Sequence, residues 1–287
     1  MQNNITVIIM ARELTFNQCA ERSIIKTYRK SIWNPFVEAC KRYQLINDGD
    51  KIAVCISGGK DSVLMAKCLQ QLKKISNTDF QLEFICMDPG YNSVNRRKIE
   101  ENCRLLEIPV NIFESDIFAV TESVGGSPCY LCARMRRGHL YAKAKELGCN
   151  KIALGHHLSD VIETTVMGML YGAQLQGMLP KLKSTNFEGM ELIRPLYCVN
   201  EEDIIKWKNY NNLEFIQCAC RFVDEYSSSA DGIGESKRQE VKALIKELKK
   251  TNKDVEMNIF NSIHNIKLDT LIAYKQNGIE HSFLDEY

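Results

Sequence analysis

The sequence lacks a long apolar run, and it lacks an excess of charge of either sign. No segment approaches the roughly 18 consecutive apolar residues that a membrane-spanning helix needs, which argues against a membrane partner. The formal net charge is +1, so any nucleic-acid site must be a local basic patch rather than the field of the whole molecule. Residues 5–10 are apolar, but the first residues do not have the layout of a secretory signal. We therefore expect a cytoplasmic protein.

Internal repeats and low-complexity tracts are also missing from the sequence. Apolar, strand-like runs alternate along the chain with helical patterns. The strand-like runs are 52–56, 82–87, 110–114, 152–155 and 192–196, and the clearest helical patterns are 33–43, 63–72, 94–106 and 134–147. This alternation predicts an α/β fold, a doubly wound parallel sheet of about five strands. We expect three parts: a helical N-terminal segment over 1–50, the sheet domain over 51–222 and a helical C-terminal extension over 223–287.

A glycine-rich stretch separates the first predicted strand from the first predicted helix. Its two glycines let the backbone turn tightly and bring N–H groups close to a ligand. A helix start favours an anion, a lysine adds positive charge, and two serines add hydroxyl donors. The stretch therefore predicts a phosphate site. The residues assigned to it are Ser57, Gly58, Gly59, Lys60, Asp61 and Ser62.

The order of residues in this stretch is not that of a Walker A loop, which needs G-x-x-x-x-G-K-[ST]. Ser-Gly-Gly-x-Asp-Ser after a first strand instead resembles the pyrophosphate loop of the ATP pyrophosphatases, the PP-loop or adenine nucleotide alpha hydrolase-like enzymes. Those enzymes split ATP between the α and β phosphates and activate a substrate oxygen as an adenylate. The resemblance implies the same use of ATP here.

Two further stretches, 88–91 and 155–160, follow strands of the predicted sheet. Ligands of such sheets bind beyond the carboxyl ends of the strands, so both stretches should lie in one crevice with the loop. We expect Asp88 to contact a ribose or an adenine. A glycine followed by a histidine pair favours contacts to a nucleotide or Mg²⁺, and we assign Gly155 and His156 to nucleotide binding.

Carboxylates in the same crevice suit a hard divalent cation. Asp61 and Asp160 offer acceptor-only oxygens of the kind that Mg²⁺ prefers. Together with the cationic side chain of Lys60, which can stabilise charge on phosphates, they form the predicted catalytic set: Lys60, Asp61 and Asp160.

Twelve cysteines are present, and two close pairs stand out: Cys129 with Cys132, and Cys218 with Cys220. A cytosolic chain seldom forms disulfides, so close pairs indicate metal or redox chemistry. Four thiolates suit zinc, and three suit a four-iron cluster with one open iron. A redox dithiol and a pair without function are the other readings. Cysteines inside apolar segments, expected to be buried and reduced, are Cys55, Cys68, Cys86 and Cys103.

Three motifs, taken in order, resemble the tRNA 2-thiocytidine synthetase family. They are Ser-Gly-Gly-Lys-Asp-Ser at 57–62, Pro-Cys-x-x-Cys-x-Arg-x-Arg-Arg-Gly at 128–138 and Leu-Gly-His-His at 154–157. The resemblance implies an ATP pyrophosphatase fold, a [4Fe-4S] cluster on three cysteines, and ATP- and Mg²⁺-dependent thiolation of a tRNA cytidine. Cys129 and Cys132 match the family's pair directly.

Two positions depart from the family's pattern. The family often has two consecutive acidic residues after the histidine pair, where this chain has Ser159-Asp160, so Asp160 is the expected functional carboxylate. The family's third cluster cysteine usually lies in a Pro-Cys-x-x-Cys context, where this chain has Gln-Cys-Ala-Cys. We prefer Cys218 as that ligand because it follows a strand-like pair of residues, and we keep Cys220 as a candidate.

The resemblance implies a reaction in two stages. The C2 oxygen of the cytosine attacks the α-phosphate of ATP, pyrophosphate leaves, and sulfur then displaces AMP. The sulfur comes from a donor, as cysteine desulfurase-derived sulfide on the open iron or as a persulfide on Cys129 or Cys132. A homodimer is one option for the assembly.

Basic residues are the candidates for gripping the tRNA. Arg134, Arg136 and Arg137 follow the first cysteine pair and could hold phosphate there. A second basic segment lies near the N-terminus, and its charges are read equally well as an RNA contact or as a solvated helix face. Its cations are Arg22, Lys26, Arg29 and Lys30.

Three other functions share part of this pattern. A tRNA lysidine synthetase shares the loop and the cytidine target but gives no reason for the Cys129–Cys132 pair. A zinc-stabilised RNA-binding module gives no reason for the pyrophosphate loop. A tRNA uridine thiolase of the same superfamily shares both loop and cluster. It commonly carries zinc-ribbon cysteine pairs at both ends, whereas residues 1–50 here offer only Cys19 and Cys40.

Overall fold

The computed structural model describes residues 14–115, 128–216 and 233–286, without the side chains of residues 128–134, 233–236 and 286. Within these ranges six strands form one sheet and two form a separate hairpin. The strands are β1 Asp50–Cys55, β2 Phe80–Asp88, β3 Val110–Glu114, β4 Lys151–Ala153, β5 Lys181–Lys183, β6 Glu191–Ile193, β7 Ala273–Gln276 and β8 Ile279–Ser282.

Helices connect these strands and also form both ends of the described chain. The α-helices are α1 Phe16–Arg22, α2 Asn34–Arg42, α3 Lys60–Ile75, α4 Ser93–Leu105, α5 Pro128–Glu146, α6 Leu158–Gly172, α7 Glu201–Tyr210, α8 Ile233–Thr251 and α9 Val255–Ser262. Two π-helices, π1 Ser23–Thr27 and π2 Arg29–Trp33, lie between α1 and α2.

The strand order of the main sheet is β3-β2-β1-β4-β6-β5. All neighbouring strands are parallel except β5, which runs antiparallel to β6. The order reverses between β1 and β4, and the carboxyl ends of these two strands therefore open the crevice in which such sheets bind ligands. The doubly wound α/β prediction is confirmed. The edge strand β5 was not predicted, because Lys-Leu-Lys is too short to show an alternation.

Side chains along β1 alternate between two hydrophobic cores, one on each face of the sheet. Ile52 and Val54 belong to the first core, which the N-terminal helices, α3 and α7 cover. Ala53 and Cys55 belong to the second core, where Tyr141 of α5 packs. Because helices cover both faces, the strand reads as one continuous apolar run.

The two π-helices set the register of the N-terminal segment. Ile24 and Trp33 are both buried, although nine positions of an α-helix make about two and a half turns and would place them on opposite faces. The i→i+5 turns of the π-helices are wider and bring both side chains to the same face. One such turn is closed by the 2.8 Å bond from the Tyr28 N–H to the Ser23 carbonyl. The segment therefore buries its apolar side chains at both ends.

The chain divides into two compact units. The first, Met1–His157 with Leu179–Ser228, contains the main sheet, and the second, Leu158–Met178 with Ser229–Tyr287, contains α6, α8, α9 and the hairpin. The predicted boundaries after residues 50 and 222 stay a prediction. In the part of the chain that the structure describes, no helix is both long and apolar enough to cross a membrane.

The hairpin β7–β8 differs from the sequence prediction of a helical C-terminal extension. Helices α8 and α9 agree with that prediction, but the chain then turns at Asn277 and Gly278, whose φ angles are 53° and 82°. Positive φ at both central residues is typical of the two-residue hairpin turn that favours Asn-Gly. This dipeptide was the signal that could have revealed the hairpin.

A buried ammonium joins α1 to α3 in the first unit. The Lys67 Nζ donates to Asn17 Oδ1 (2.6 Å), Glu21 Oε1 (2.8 Å), Gln70 Oε1 (2.7 Å) and the Leu106 carbonyl (2.8 Å). Burial lowers the pKa of Lys67, although the bond to Glu21 opposes that shift. Four acceptors therefore hold the ammonium inside the protein. Loss of the ammonium would leave several of these buried oxygens without a donor.

We predict that Lys67→Met lowers the free energy of unfolding by about 3 kcal/mol, because it removes one partner of a buried ion pair. Lys74→Met is the matched control. Lys74 also bonds Glu21, but its side chain is 56% exposed, so its loss should cost less than about 1 kcal/mol. Urea unfolding of both variants measures the difference, and equal losses would contradict the assignment.

Candidate active site

The two serines of the glycine-rich stretch bond to each other and close it into a compact loop. The hydroxyl of Ser62 donates to the Gly59 carbonyl (3.0 Å) and accepts from the Ser57 N–H (3.1 Å). The Oγ atoms of Ser57 and Ser62 are 3.1 Å apart. Helix α3 begins immediately after Gly59, and the N–H groups of its first turn have no carbonyl partner within the helix. The loop thus presents a helix start to the crevice, as an anion site requires.

The three glycines of the site differ in how much room each leaves for a side chain. Gly58 has φ +82°, and a Cβ there would lie 2.7 Å from side-chain atoms of both Ile99 and Ile216. A Cβ on Gly155 would lie 3.0 Å from the backbone nitrogen of Ser62, which cannot move aside. A Cβ on Gly59 would meet only Ser57 Oγ, at an ordinary 3.6 Å. Gly155 therefore lets the end of β4 pack directly on the loop.

Lys60 lies between two carboxylates at the start of α3. Its Nζ is 3.1 Å from Asp61 Oδ1 and 3.0 Å from Glu201 Oε1. Burial alone would lower the pKa of Lys60, but the charge of Asp61 and the hydrogen bond and charge of Glu201 outweigh it and raise the pKa. The lysine is therefore a permanent cation held in one place beside the loop.

Glu201 is the site residue that sequence reasoning missed. It is the first residue of α7, and Asn200 caps that helix by accepting from the Glu202 N–H (2.8 Å). No motif marks it. The available signal was its position, a capped helix start a few residues beyond the last predicted strand, at the edge of the sheet where the loop lies.

Asp61 offers the chemistry that a magnesium ion needs. Its Oδ1 atom is buried and has no hydrogen-bond donor in favourable geometry among the described residues, although it forms an ion pair with Lys60 at 3.1 Å and lies 3.9 Å from His157 Nε2. Among the described residues no group of three or more His, Cys, Asp or Glu could hold a metal ion. Mg²⁺ bound with a nucleotide needs only one or two carboxylates plus phosphate oxygens, and Asp61 fits that requirement.

Asp88, at the end of β2, is engaged within the protein. Its Oδ1 accepts from the N–H groups of Gly90 (2.8 Å) and Tyr91 (2.7 Å), and its Oδ2 pairs with Arg96 at 2.5 Å. Burial would raise the pKa of Asp88, but these bonds outweigh it and lower the pKa. The carboxylate therefore shapes the turn after β2, and its contact with a ribose or an adenine stays a prediction.

The stretch after β4 crosses from the first unit to the second. His157 is buried and His156 half-buried in the first unit. In the second unit Asp160 accepts from Arg238 Nη1 (2.8 Å), which also lies 3.6 Å from the buried Glu163. Arg238 is a partner that the sequence did not reveal. The predicted roles of His156 in nucleotide binding and of Asp160 in catalysis stay predictions.

Comparison with known proteins fits this geometry. The PP-loop domain family matches residues 25–227. A tRNA-cytidine(32) 2-sulfurtransferase of Paraburkholderia xenovorans is 34% identical over 241 residues, which cover 83% of this chain and 69% of that protein. A protein of the same name from Aliivibrio fischeri is 38% identical over 211 residues, covering 72% of this chain and 66% of that protein. The chain belongs to the tRNA 2-thiocytidine synthetase family of PP-loop proteins.

A solved structure supports the PP-loop fold. The U34-tRNA thiolase NcsA from Methanococcus maripaludis, determined with its [4Fe-4S] cluster, matches with a TM-score of 0.62. The match covers 82% of this chain and 79% of that chain at 22% sequence identity. At that identity the likeness shows the fold alone.

Helix α5 carries the cysteine motif of this PP-loop chain. It begins at Pro128, a favoured first position because the missing N–H would have no helical partner there. Cys129 and Cys132 fall in its first two turns, where residues three apart share a face. Their side chains, and all of Cys218 and Cys220, lie outside the described residues. The ligand roles of these four cysteines stay predictions.

The other eight cysteines are free thiols. Cys55, Cys68, Cys86 and Cys103 are buried as predicted, none more than 6% exposed. Burial raises the pKa of all four thiols, to about 12 for Cys86 and Cys103. Metals bind the thiolate, so these residues are unsuited to a metal site, and the cluster prediction depends on the two close pairs.

The arginines that follow the first cysteine pair are placed only in part. Arg136 is half-buried and Arg137 is exposed on α5, while the side chain of Arg134 lies outside the described residues. Arg136 lies near enough to Cys86 for its charge to act on that thiol's pKa. It stays a prediction that Arg134, Arg136 and Arg137 bind tRNA phosphate.

We predict that alanine at the three glycines separates folding from ligand binding. Gly58→Ala and Gly155→Ala should each lower the melting temperature of the ligand-free protein, because the added methyl meets packed side chains or backbone. Gly59→Ala should leave that temperature nearly unchanged and weaken ATP binding, because its Cβ has room only until a phosphate approaches the loop. Thermal unfolding and ATP titration check this, and unchanged ATP affinity in Gly59→Ala would contradict it.

Proposed function

We propose that this protein uses ATP to activate the C2 oxygen of a tRNA cytidine and replaces that oxygen with sulfur. The observation that carries the proposal is the lysine held at a PP-loop helix start, in a chain 34% identical over most of its length to proteins named tRNA-cytidine(32) 2-sulfurtransferase. Cytidine 32, the position in those names, is the proposed target. A tRNA substrate also favours a cytoplasmic location.

The first stage forms an adenylated base. The C2 oxygen attacks the α-phosphorus, the bond from that phosphorus to the bridging oxygen breaks, and pyrophosphate leaves with the bond's electron pair. Lys60 and the N–H groups at the start of α3 stabilise the negative charge that grows on the phosphates. Because Asp61 and Glu201 hold Lys60 in place, little reorganisation is needed when ATP binds.

Magnesium would be held by Asp61 and by phosphate oxygens of ATP. The buried Oδ1 of Asp61, which has no donor in hydrogen-bond geometry among the described residues besides its ion pair with Lys60, supports this role. Bound Mg²⁺ neutralises phosphate charge and orients the leaving pyrophosphate. We include Asp160 as a second carboxylate, which would first have to exchange its bond with Arg238.

The second stage delivers sulfur to the activated carbon. Sulfur attacks C2, the C2–O bond breaks, and AMP leaves with the former oxygen of the base. Two cysteine positions on one face at the start of α5 fit a metal centre, and we assign the ligands as Cys129, Cys132 and one of Cys218 and Cys220. A [4Fe-4S] cluster with three protein ligands supplies an iron that can accept an external sulfur ligand.

The target base must leave the RNA stack, because its C2 edge is buried in stacked RNA. A loop nucleotide costs the least to extrude. The sulfur donor is proposed to be a cysteine desulfurase product, sulfide or persulfide. We keep a homodimer as a proposal for the assembly.

We predict that Lys60→Ala lowers 2-thiocytidine formation at least about 100-fold, since it removes a fixed charge from the phosphate site. Lys74→Ala, an exposed lysine at the other end of α3, is the control and should act like the native protein. The assay is nucleoside mass spectrometry of tRNA incubated with ATP, Mg²⁺, sulfide and the anaerobically purified protein. Native-level thiolation by Lys60→Ala at saturating ATP would contradict the role of Lys60, and thiouridine or lysidine as the product would point to the neighbouring functions.

We predict about four irons per chain after anaerobic purification, with a broad absorption that air bleaches. Cys129→Ala and Cys132→Ala should each lose iron and activity, and only one of Cys218→Ala and Cys220→Ala should do so. Cys19→Ser, at an exposed free cysteine, is the control and should keep both. Stoichiometric zinc without iron would indicate a structural site, and a metal-free active protein would indicate persulfide chemistry.

A further inference from the structure

The N-terminal segment carries a run of cations with no acidic residue among them. Between Glu21 and Glu38 the chain has four cationic residues and no acidic one. All four side chains are exposed, and none has a carboxylate within ion-pair distance among the described residues. Glu21 turns instead to Lys67 and Lys74. The cations are Arg22, Lys26, Arg29 and Lys30.

The opposite side of this segment is anchored in the core. Trp207 Nε1 donates to Ser23 Oγ (3.1 Å), and Asn211 Nδ2 donates to the same oxygen (3.2 Å). The Tyr28 hydroxyl donates to the Lys206 carbonyl (3.1 Å). Ile24 is fully buried. The backbone that carries the cations is therefore fixed on α7, which reduces the ordering cost of binding an extended polyanion.

Helix α7 also links the segment to the phosphate loop. The helix begins at Glu201, which bonds Lys60, and the Tyr28 hydroxyl meets it five residues later. Five residues of α-helix span about 7.5 Å. An RNA that places a base at the loop would therefore have its backbone within reach of the cations. The nearby Asp203 is paired with Lys206 (3.2 Å), which lessens its repulsion.

We infer that Arg22, Lys26, Arg29 and Lys30 form a docking surface for the phosphate backbone of the tRNA substrate. This inference rests on the proposed function. Four exposed cations within nine consecutive residues concentrate positive charge on one short stretch of backbone, where more than one phosphate of an RNA strand can meet them. Such contacts position an RNA without reading its sequence, and they are the local basic patch that a chain of net charge +1 requires.

The test is the triple variant Lys26→Gln, Arg29→Gln and Lys30→Gln, with tRNA affinity measured by fluorescence anisotropy over a range of KCl concentrations. The plot of log affinity against log salt should lose about two to three units of slope, roughly one for each phosphate contact. Affinity at about 100 mM salt should fall at least about tenfold. ATP affinity and iron content should not change, and thiolation should show a higher KM for tRNA with kcat preserved.

A matched control removes the same amount of charge elsewhere. Lys73, Lys253 and Lys267 are exposed, and their replacement by Gln should change the slope by less than about one. Equal slopes for the two triple variants would overturn the inference, as would a patch variant that loses binding to anionic lipid vesicles but keeps its tRNA slope. The proposed function fails separately, if the native protein makes no 2-thiocytidine. Native thiolation with an unchanged slope in the patch variant would overturn the docking surface alone.

Discussion

The ion pair between Lys60 and Glu201 is the interaction on which the site depends. It joins the start of α3, directly after the phosphate loop, to the start of α7 beyond the last strand of the sheet. Asp61 holds the same ammonium from the loop side. These two carboxylates keep the lysine charged and hold it in place. Under the proposed function, an incoming triphosphate would meet a preorganised cation and compete with the carboxylates for it. Magnesium would offset that competition by neutralising Asp61.

Close backbone packing fixes the position of the loop and of the start of α3. Gly155 lets the end of β4 touch the backbone of the loop at Ser62, and Gly58 turns the loop against the side chains of Ile99 and Ile216. These contacts lie where the strand order reverses, so the fold itself directs the helix start into the crevice. Helix α7 extends the same construction outward, since its first residue holds Lys60 and its middle holds the cationic N-terminal segment. The proposed phosphate site and the proposed RNA surface therefore both contact helix α7.

The sequence predicted the features that short-range patterns encode. The run at 52–56 predicts β1, because a strand buried on both faces is apolar throughout. The motif at 57–62 predicts the loop and the start of α3, because a glycine turn and a helix start have characteristic residues. No motif marks Glu201 or Arg238, since each acts through a partner far along the chain; for Glu201 only the capped helix start was a local signal. The ammonium of Lys67 is also buried by long-range packing, and its residue type alone would suggest an exposed position. The strand β5 is too short to show any periodicity, and the only local signal of the hairpin is the pair Asn277 and Gly278.

The most direct measurement is the fate of ATP during thiolation. The protein would be incubated with tRNA, sulfide and ATP labelled in its α-phosphate, and the labelled nucleotide and the thiolated nucleoside would be counted together. The account predicts labelled AMP in one-to-one ratio with 2-thiocytidine, because adenylation of the C2 oxygen must cleave ATP between its α and β phosphates. Labelled ADP as the product, or 2-thiocytidine formed without AMP, would contradict it.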